Sequence, residues 1–329
     1  MIVVTGGAGF IGSNLVASLL ERDPSLDIIV ADRFGFDDKW RNLAKHPVAE
    51  FVEPEQLTEF LDANAHSISQ VFHMGASSAT NERDVDLIIR NNFTLSMRLW
   101  RWCAWHTVPF IYASSAATYG DGKQGFEDNP DPTALSRLLP LNPYGWSKHL
   151  FDRRVIELSG RGEPTPPQWV GLKFFNVYGP NERHKGAQCS VVAQVHPRAA
   201  RDEPAVLFRS HRDGIPDGGQ SRDFIWVGDC VDVMLWLADN PSVSGLFNVG
   251  TGVARSFADL VKAVFAALGR TPKIEFVDTP MEIRERYQYF TQASMGRLRA
   301  TGYPGQFTSL EDGVHSYVQD YLEAEDPYR

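Results

Sequence analysis

A glycine-rich turn between a predicted strand and a predicted helix is the feature that most limits what this chain can fold into. Residues 1–4 (MIVV) are apolar and largely β-branched, which predicts a buried strand, and the turn over residues 5–12 (TGGAGFIG) follows directly. From Ser13 onward, apolar residues recur at helical spacing. Glycine permits a tight turn and lets backbone N–H groups approach a phosphate, so this stretch predicts a dinucleotide pyrophosphate site.

The glycine spacing and one downstream acid agree with that prediction. Gly6, Gly9 and Gly12 are spaced G-x-x-G-x-x-G, and a start one residue later also satisfies G-x-G-x-x-G. Asp32 stands twenty residues beyond Gly12, at the end of a second apolar stretch. An acid at this position typically binds the ribose of NAD. The pattern as a whole is therefore typical of a dinucleotide-binding fold.

Basic residues beside Asp32 bear on which dinucleotide binds. Arg33 is suited to the 2′-phosphate of NADP, whereas Asp32 is suited to the 2′-hydroxyl of NAD. Lys39 and Arg41 add positive charge nearby, although a solvated loop explains Arg41 equally well. We therefore expect NADP as the cofactor, and NAD stays open.

The stretches 69–76 and 109–115 read as further buried strands that end in small or hydroxyl residues. In a doubly wound parallel sheet, ligands lie outside the carboxyl ends of the strands. The residues from Gly75 to Ser78 are therefore expected to face the cofactor. We interpret His73 as a packed strand residue rather than a catalyst.

A tyrosine and a lysine four residues apart open a later predicted helix. Asn142 and Pro143 are typical of a helix start, which places Tyr144 and Lys148 on one face. An ammonium group near a phenol favours the phenolate, and such a tyrosine can take or return a hydroxyl proton. Ser115, which ends the preceding predicted strand, is expected to hydrogen-bond the same substrate oxygen.

These segments, together with residues 175–180 (FNVYGP), resemble the extended short-chain dehydrogenase/reductase superfamily over essentially the full chain. The resemblance implies an α/β fold: a Rossmann-type doubly wound parallel sheet with a smaller C-terminal α/β substrate-binding lobe. It places the dinucleotide domain at residues 1–172, with a return segment near 222–250, and the nucleotide-sugar lobe mainly at 173–329. The expected partner is a small-molecule nucleotide-sugar, because most members modify such compounds.

Three shorter segments, 113–120, 182–186 and 286–293, resemble the heptose 6-epimerase family, whose members act on an ADP-linked heptose and form homo-oligomers. The resemblance implies inversion of C6″ by transient oxidation and re-reduction with a retained cofactor. Ala116 and Ala117 stand where related sugar dehydratases carry an acid pair, which disfavours elimination of water. The resemblance implies Tyr144 and Lys185 as the two acid/base groups. A role for Lys185 in neutralising substrate phosphate alone stays open.

The resemblance also implies binding residues. Those expected at the cofactor are Gly6, Gly9, Phe10, Ile11, Gly12, Asp32, Arg33, Lys39, Met74, Gly75, Ala76, Ser77, Ser78, Asn91, Tyr144, Lys148, Val177 and Lys185. Those expected at the substrate are Ser115, Asn176, Ala187, Gln194, Phe208, Ser210, Arg222 and Tyr287. Arginine is well suited to a diphosphate, and the alternative for Arg222 is a structural ion pair with Asp223 or Asp229.

Three departures from the family pattern concern ligand binding. The loop 209–221 is longer than the pattern suggests, Gln194 stands where the family tends to have His, and Pro54 stands where a Lys helps to hold the cofactor. Two alternatives therefore stay open: an epimerase or reductase of another nucleotide-sugar, and a non-catalytic dinucleotide-sensing protein. The intact Tyr144 and Lys148 argue against the second.

Composition excludes several other classes of protein. The chain carries 32 basic and 41 acidic residues, for a formal net charge of −9, so a nucleic-acid partner is not expected. No apolar run approaches the ~20 residues of a membrane helix, and Met1 leads directly into the first strand without room for a signal peptide. Three widely spaced cysteines offer no zinc spacing and fit a reducing cytoplasm. Trp100, Trp102 and Trp105 cannot all face one way, so we expect at least one to be exposed, as a candidate subunit contact.

Overall fold

A computed structural model describes residues 1–36, 38–284 and 288–329. Its strands are β1 Ile2–Thr5, β2 Ile28–Ala31, β3 Glu50–Val52, β4 Gln70–His73, β5 Phe110–Ser115, β6 Trp169–Phe174, β7 Asn176–Tyr178, β8 Ala205–Phe208, β9 Ser221–Trp226, β10 Gly245–Val249, β11 Ala254–Ser256 and β12 Ile274–Val277. Its α-helices are α1 Phe10–Arg22, α2 Leu57–Ala63, α3 Val85–Ile88, α4 Leu95–His106, α5 Pro132–Ser136, α6 Pro143–Gly160, α7 Val191–Ala200, α8 Val227–Asp239, α9 Phe257–Ala267, α10 Met281–Arg284, α11 Gly296–Ala300 and α12 Leu310–Tyr317. None of the helices in these ranges is both long and apolar enough to cross a membrane.

The central sheet has seven strands among the described residues, in the order β3-β2-β1-β4-β5-β6-β10, and neighbouring strands are parallel. Strands β1 and β2 are short, mostly β-branched runs. Both of them and β4 are buried almost throughout, as expected for a parallel sheet covered on both faces. The chain order reverses at β1, which pairs with β2 on one side and β4 on the other. This is the topological switch point at which a doubly wound sheet opens a ligand crevice, so the predicted Rossmann-type fold is confirmed.

Apolar clusters cover both faces of this sheet. One contains Val3, Trp100 and Phe110, and the other contains Leu15 and Met234, all buried. A third cluster joins α7, α9 and α12 to β8. Strands β7, β9 and β11 form a small sheet, and β8 pairs with β12. Strand β10 returns to the central sheet beside β6, whereas a domain boundary at residue 172 stays a prediction.

A continuous helical stretch contains α3 and α4. Asp84 caps α3 by accepting a hydrogen bond from the Leu87 N–H (2.9 Å), and a π-helical segment, Ile89–Thr94, joins α3 to α4. Asn91 and Asn92 lie within this π-helical segment. The prediction for the tryptophans of α4 is confirmed: Trp100 and Trp102 are buried, and Trp105 is 83% exposed.

Candidate active site

The glycine turn brings the ends of β1 and β4 into backbone-to-backbone contact. Gly6 has φ +66°, and a Cβ placed there would lie 2.5 Å from the Cα of Gly75. A Cβ on Gly12 would lie 2.1 Å from the carbonyl oxygen of Gly6. Thr5 Oγ1 fastens the same point by accepting from the Gly75 N–H (3.1 Å). Side chains at these glycines would collide with the backbone, so the turn keeps this tight shape only with glycine.

The N-terminus of α1 faces this crevice. Gly9 is the N-cap in extended conformation, and among the described residues no side chain caps this end of the helix. The first intrahelical bond runs from the Ser13 N–H to the Gly9 carbonyl (3.0 Å), so the first-turn amides of Phe10, Ile11 and Gly12 precede the helix's own pairing. Amides of this kind, at the positive end of a helix dipole, suit the pyrophosphate of a dinucleotide.

Asp32 links the turn to its basic neighbours. One carboxylate oxygen accepts from the Ala8 N–H (2.9 Å) and the other from Lys39 Nζ (2.6 Å). Arg33 forms an ion pair with Glu55 at the edge of the pocket. Lys39 therefore places a positive charge directly at the residue that the fingerprint assigns to the ribose.

Arg41 lies outside this arrangement. Its guanidinium lies 4.9 Å from the ring centroid of Tyr328 and 4.0 Å from Asp38. Arg41 does not line the cavities next to Asp32. Among the residues that the structure describes, Lys39 and Arg33 therefore supply the positive charge near Asp32.

A cleft of about 820 Å³ runs from the glycine turn past α6 to β9. A smaller pocket of about 190 Å³ adjoins it and shares Gly6, Asp32, Lys39, Gly75 and Ala76 with it. All eighteen residues expected at the cofactor line one or both cavities, with Arg33, Ser77 and Asn91 in the smaller one. Of the residues expected at the substrate, Ser115, Asn176 and Arg222 line the cleft.

Of the other expected substrate residues, those that the structure describes lie outside the lining of both cavities. Gln194 Nε2 donates to the carbonyls of Ala187 (3.3 Å) and Cys189 (2.7 Å), so it ties down the segment that precedes α7. Phe208 ends β8, and the Ser210 N–H donates to Asp217 within the 209–221 loop (2.8 Å). Tyr287 lies outside the described residues.

Arg222 is buried at the far end of the cleft. It donates to the carbonyls of Ser221 (2.9 Å) and Gln288, and its guanidinium lies 5.5 Å from the Phe257 ring centroid. The two carboxylates considered as its ion-pair partners have other donors. Asp223 accepts from the Thr251, Gly252 and Ala293 amides, and Asp229 accepts from Thr308.

Tyr144 stands in the first turn of α6, where the sequence placed it. Asn142 caps this helix by accepting from the Gly145 N–H (2.8 Å), with Pro143 as the first helical residue. Tyr144 and Ser115 both line the cleft. Burial raises the pKa of Tyr144, and the nearby Ser115 hydroxyl partly offsets that rise.

Lys148 occupies the same helix face, one turn beyond Tyr144. Its Nζ donates to the carbonyl of Ala113 on β5 (2.7 Å). Burial lowers the pKa of Lys148, and the nearby Asp152 partly opposes this, so that the resulting pKa is about 8. A lowering of the Tyr144 pKa by Lys148 together with a bound nicotinamide cation stays a prediction; in this structure burial raises that pKa, and Lys148 directs its hydrogen bond to β5.

Asp152 is a site residue that the sequence analysis missed. It lies two turns beyond Tyr144, and its side chain is completely buried. It accepts hydrogen bonds from Tyr112 (3.0 Å), Ser114 (2.7 Å) and Lys173 (2.6 Å). Its spacing from Tyr144 was a readable signal, because residues i, i+4 and i+8 share one face of a helix.

The segment that carries Lys185 is fastened to the glycine turn by Asn42, a second residue that was missed. Asn42 Nδ2 contacts the carbonyls of Ala8 (2.8 Å) and Asn181 (3.1 Å), and it lies 3.2 Å from His184 Nδ1. Lys185 Nζ lies 5.4 Å from the ring centroid of Phe10 in the turn. No local sequence pattern identifies Asn42, because its partners lie far away along the chain.

His73 has the structural role predicted for it. Nδ1 is paired with Thr5 Oγ1 (2.6 Å) and Nε2 with Ser96 Oγ (2.8 Å), and the residue is buried. Burial, together with the charge of Lys148, lowers the pKa of His73 to about 3. The neutral ring joins β1 to α4 beneath the cleft.

The fold and the cleft define a Rossmann-type enzyme of the short-chain dehydrogenase/reductase kind. The chain belongs to the NAD dependent epimerase/dehydratase family, whose model matches residues 2–250. It is therefore an epimerase-type enzyme that uses a nicotinamide dinucleotide.

Full-length relatives and solved structures that resemble this chain are also named as epimerases. A protein of Nitratidesulfovibrio vulgaris (strain Hildenborough) named ADP-L-glycero-D-manno-heptose-6-epimerase is 48% identical, with 100% of each chain covered. A protein of the same name from Fusobacterium nucleatum is 44% identical, again with 100% of each covered. The Helicobacter pylori ADP-L-glycero-D-manno-heptose-6-epimerase structure superposes with a TM-score of 0.77 at 27% identity, covering 97% of this chain and 95% of that one. The structure of the Thermus thermophilus UDP-glucose 4-epimerase, in complex with NAD, superposes with a TM-score of 0.71 at 27% identity, covering 95% of this chain and 96% of that one.

Proposed function

We propose that this chain inverts C6″ of ADP-D-glycero-D-manno-heptose to give the L-glycero form. The observation that carries the proposal is the shared cleft, which is lined by Tyr144 at the start of α6, Ser115 at the end of β5 and Lys185 beside the glycine turn. Inversion needs a proton-transfer group on each face of the sugar carbon, and these residues stand on separate elements that line the cleft. The full-length relatives that carry this activity in their name support the choice of sugar.

In this proposal the chain's own residues hold and move protons. Tyr144, which lies near Ser115, exchanges a proton with the C6″ hydroxyl from one side, and Lys185 does so from the other. Lys148 anchors the cofactor ribose, and Asn176 and Arg222 contact the sugar and the diphosphate. A nicotinamide dinucleotide bound at the glycine turn would supply the reversible hydride chemistry, and the reaction would have no net redox change.

The turn that follows β5 supports epimerisation over elimination of water. Ala116 and Ala117 occupy this turn, Ala116–Tyr119, and neither has a side chain that can transfer a proton. A Cβ on Gly145 would lie 2.7 Å from the Ala117 carbonyl oxygen, so the turn and the start of α6 are packed tightly together. An acid pair needed for elimination has no counterpart at these two positions.

For the cofactor we propose NADP. Lys39 on Asp32 and Arg33 at the pocket edge supply positive charge where a 2′-phosphate would lie. Pro54, in place of the basic residue that the family pattern suggested, lines the same pocket. Mass spectrometry of the nucleotide released from purified protein distinguishes the two cofactors, and recovery of NAD alone would contradict the proposal.

The test of the reaction is incubation with ADP-D-glycero-D-manno-heptose, followed by NMR. We expect conversion to the L-glycero epimer without added cofactor, and no conversion by Tyr144→Phe. Absence of conversion by the native protein would refute the choice of substrate. Stoichiometric consumption of added NADPH would instead indicate a reductase.

We also propose that the protein acts in the cytoplasm as a homo-oligomer. The unpaired thiols of Cys103, Cys189 and Cys230 suit a reducing compartment. Trp105, exposed on α4, is the proposed subunit contact. Sedimentation of the native protein tests the oligomer, and a monomer at micromolar concentration would contradict it.

A further inference from the structure

A buried ion pair joins α6 to the central sheet, two helical turns beyond Tyr144. Asp152 Oδ2 lies 2.6 Å from Lys173 Nζ, and both side chains have 0% exposure. The same oxygen accepts from Ser114 Oγ (2.7 Å), and the other accepts from Tyr112 OH (3.0 Å). Lys173 Nζ also donates to Thr118 Oγ1 (2.9 Å). The charges are therefore fully paired and hydrogen-bonded within the sheet-to-helix interface.

The sheet register shapes this arrangement. Ser114 on β5 is the register partner of Lys173 on β6, so the two donors reach Asp152 from adjacent strands. Tyr112 is the register partner of Gly171, where a Cβ would lie 2.4 Å from the phenol oxygen. Gly171 thus leaves room for the Tyr112 ring.

Helix α6 carries Tyr144, Lys148 and Asp152 at intervals of four residues, so all three side chains project from one face. Lys148 bonds to the β5 carbonyl of Ala113, one residue from Ser114. Asp152 is therefore the deepest of three successive attachments between this face and the sheet. Because a buried ion pair is often no more stable than an apolar replacement, stability alone is a weak reason for its presence.

We propose that Asp152 and Lys173 act as a positioning pair, which fixes the rotation of α6 on β5 and β6 and so holds Tyr144 and Lys148 at the cleft. Neither residue lines the cleft, and neither touches the substrate in this account. The inference deepens the proposed function and rests on it for its kinetic readout. Its second readout, the titration of Lys148, does not depend on activity.

Lys148 has charged and titratable neighbours on several elements. His73 on β4 senses its charge, Asp152 on α6 attracts it, and Tyr144 shares its helix face. Tyr112 on β5 and Lys173 on β6 are held by Asp152. Removal of the Asp152 carboxylate should therefore lower the pKa of Lys148 below its native value of about 8.

The experiment compares Asp152→Asn, Asp152→Glu and the double variant Asp152→Asn/Lys173→Met with the native protein. The double variant keeps the test open if Asp152→Asn alone unfolds, since it does not leave a buried ammonium without its counter-charge. Asp229→Asn is the matched control: Asp229 is also a buried carboxylate on a helix, but it holds Thr308 and does not line the cleft.

We expect the double variant to lose about 10- to 100-fold in kcat with little change in KM, because small displacements of reacting groups have costs of this size. Lys148, followed by NMR of ¹³Cε-labelled lysine and assigned with Lys148→Arg, should titrate at lower pH than in the native protein. Asp152→Glu should recover part of kcat, and Asp229→Asn should change stability only.

Native kcat together with a native Lys148 titration in a folded double variant would overturn the inference. Equal losses of kcat in the double variant and in Asp229→Asn would also overturn it, because they would indicate a general effect of destabilisation. If the native protein fails to epimerise the heptose, the proposed function fails. The Lys148 titration then decides the inference alone: a lower midpoint supports it, and a native midpoint overturns it.

Discussion

Replacement of Gly12 by alanine should weaken cofactor binding because of one backbone contact. The added Cβ would lie 2.1 Å from the Gly6 carbonyl oxygen. Since an ordinary C···O contact is about 3.3 Å or more, the helix or the turn must move by roughly 1.2 Å. The turn cannot retreat easily, because Gly6 itself packs against the backbone of Gly75. We therefore expect the N-terminus of α1 to move away.

The size of the effect follows from the first-turn amides. A hydrogen bond to a charged group contributes about 1.5–3 kcal/mol, so loss of one or two such bonds costs about 3 kcal/mol. This corresponds to an increase in Kd of about 100-fold. Titration of cofactor-stripped protein with NADPH, followed by fluorescence, measures it directly.

Gly160→Ala is the matched control for this prediction. Gly160 ends α6, and a Cβ there would have no atom within 4 Å, so cofactor affinity should stay at the native value. The reasoning is refuted if Gly12→Ala binds NADPH within about threefold of the native affinity, which is less than the loss of one hydrogen bond to a charged group.

Three further predictions concern the catalytic tyrosine, the buried histidine and the exposed tryptophan. Tyr144→Phe should bind cofactor normally but lose about 10²- to 10⁴-fold in turnover by NMR assay, the usual range for a general acid/base, and near-native turnover would exclude that role. His73 stays neutral in the folded protein because its pKa there is about 3, whereas in the unfolded chain it is protonated near pH 6.5. The folded state should therefore lose stability as the pH decreases from 6.5 towards 3. The free energy of unfolding in urea should fall between pH 6.5 and pH 5, and this fall should be about 2 kcal/mol smaller in His73→Asn than in the native protein. An equal fall in the two proteins would contradict this. Trp105→Glu should shift the protein to a smaller species in sedimentation, and an unchanged oligomer would exclude Trp105 as the contact.

Local sequence chemistry predicted the parts of the fold that depend on neighbouring residues. The glycine turn follows its strand and precedes its helix as expected, and α6 begins at Pro143 under an Asn142 cap. These features could be predicted because turns and caps are determined within a few residues. Many of the residues that the resemblance implied line the cleft together. Gln194 and Ser210 do not: Gln194 on α7 contacts the preceding segment, and Ser210 contacts its own loop.

The remaining features depend on distant pairings. Asp152 on α6 meets both Lys173 and Ser114, which the pairing of β5 with β6 places side by side. Asn42 meets the carbonyl of Asn181 across 139 residues. Single-sequence patterns carry information about spacing along an element, but they do not carry the register between strands or the packing of one loop on another.

The fastening of the Lys185 segment by Asn42 has a consequence for how this scaffold can change its substrate. Tyr144 stands on a helix seated on the parallel sheet, and Lys185 stands on a segment tied to the glycine turn. Both proposed proton carriers are therefore built on the cofactor side of the molecule, while β8 and the 209–221 loop belong to the other side. Loops that recognise the sugar or nucleotide can be exchanged while the distance between the two proton carriers is preserved. The same chemical unit can thus serve different nucleotide-sugars.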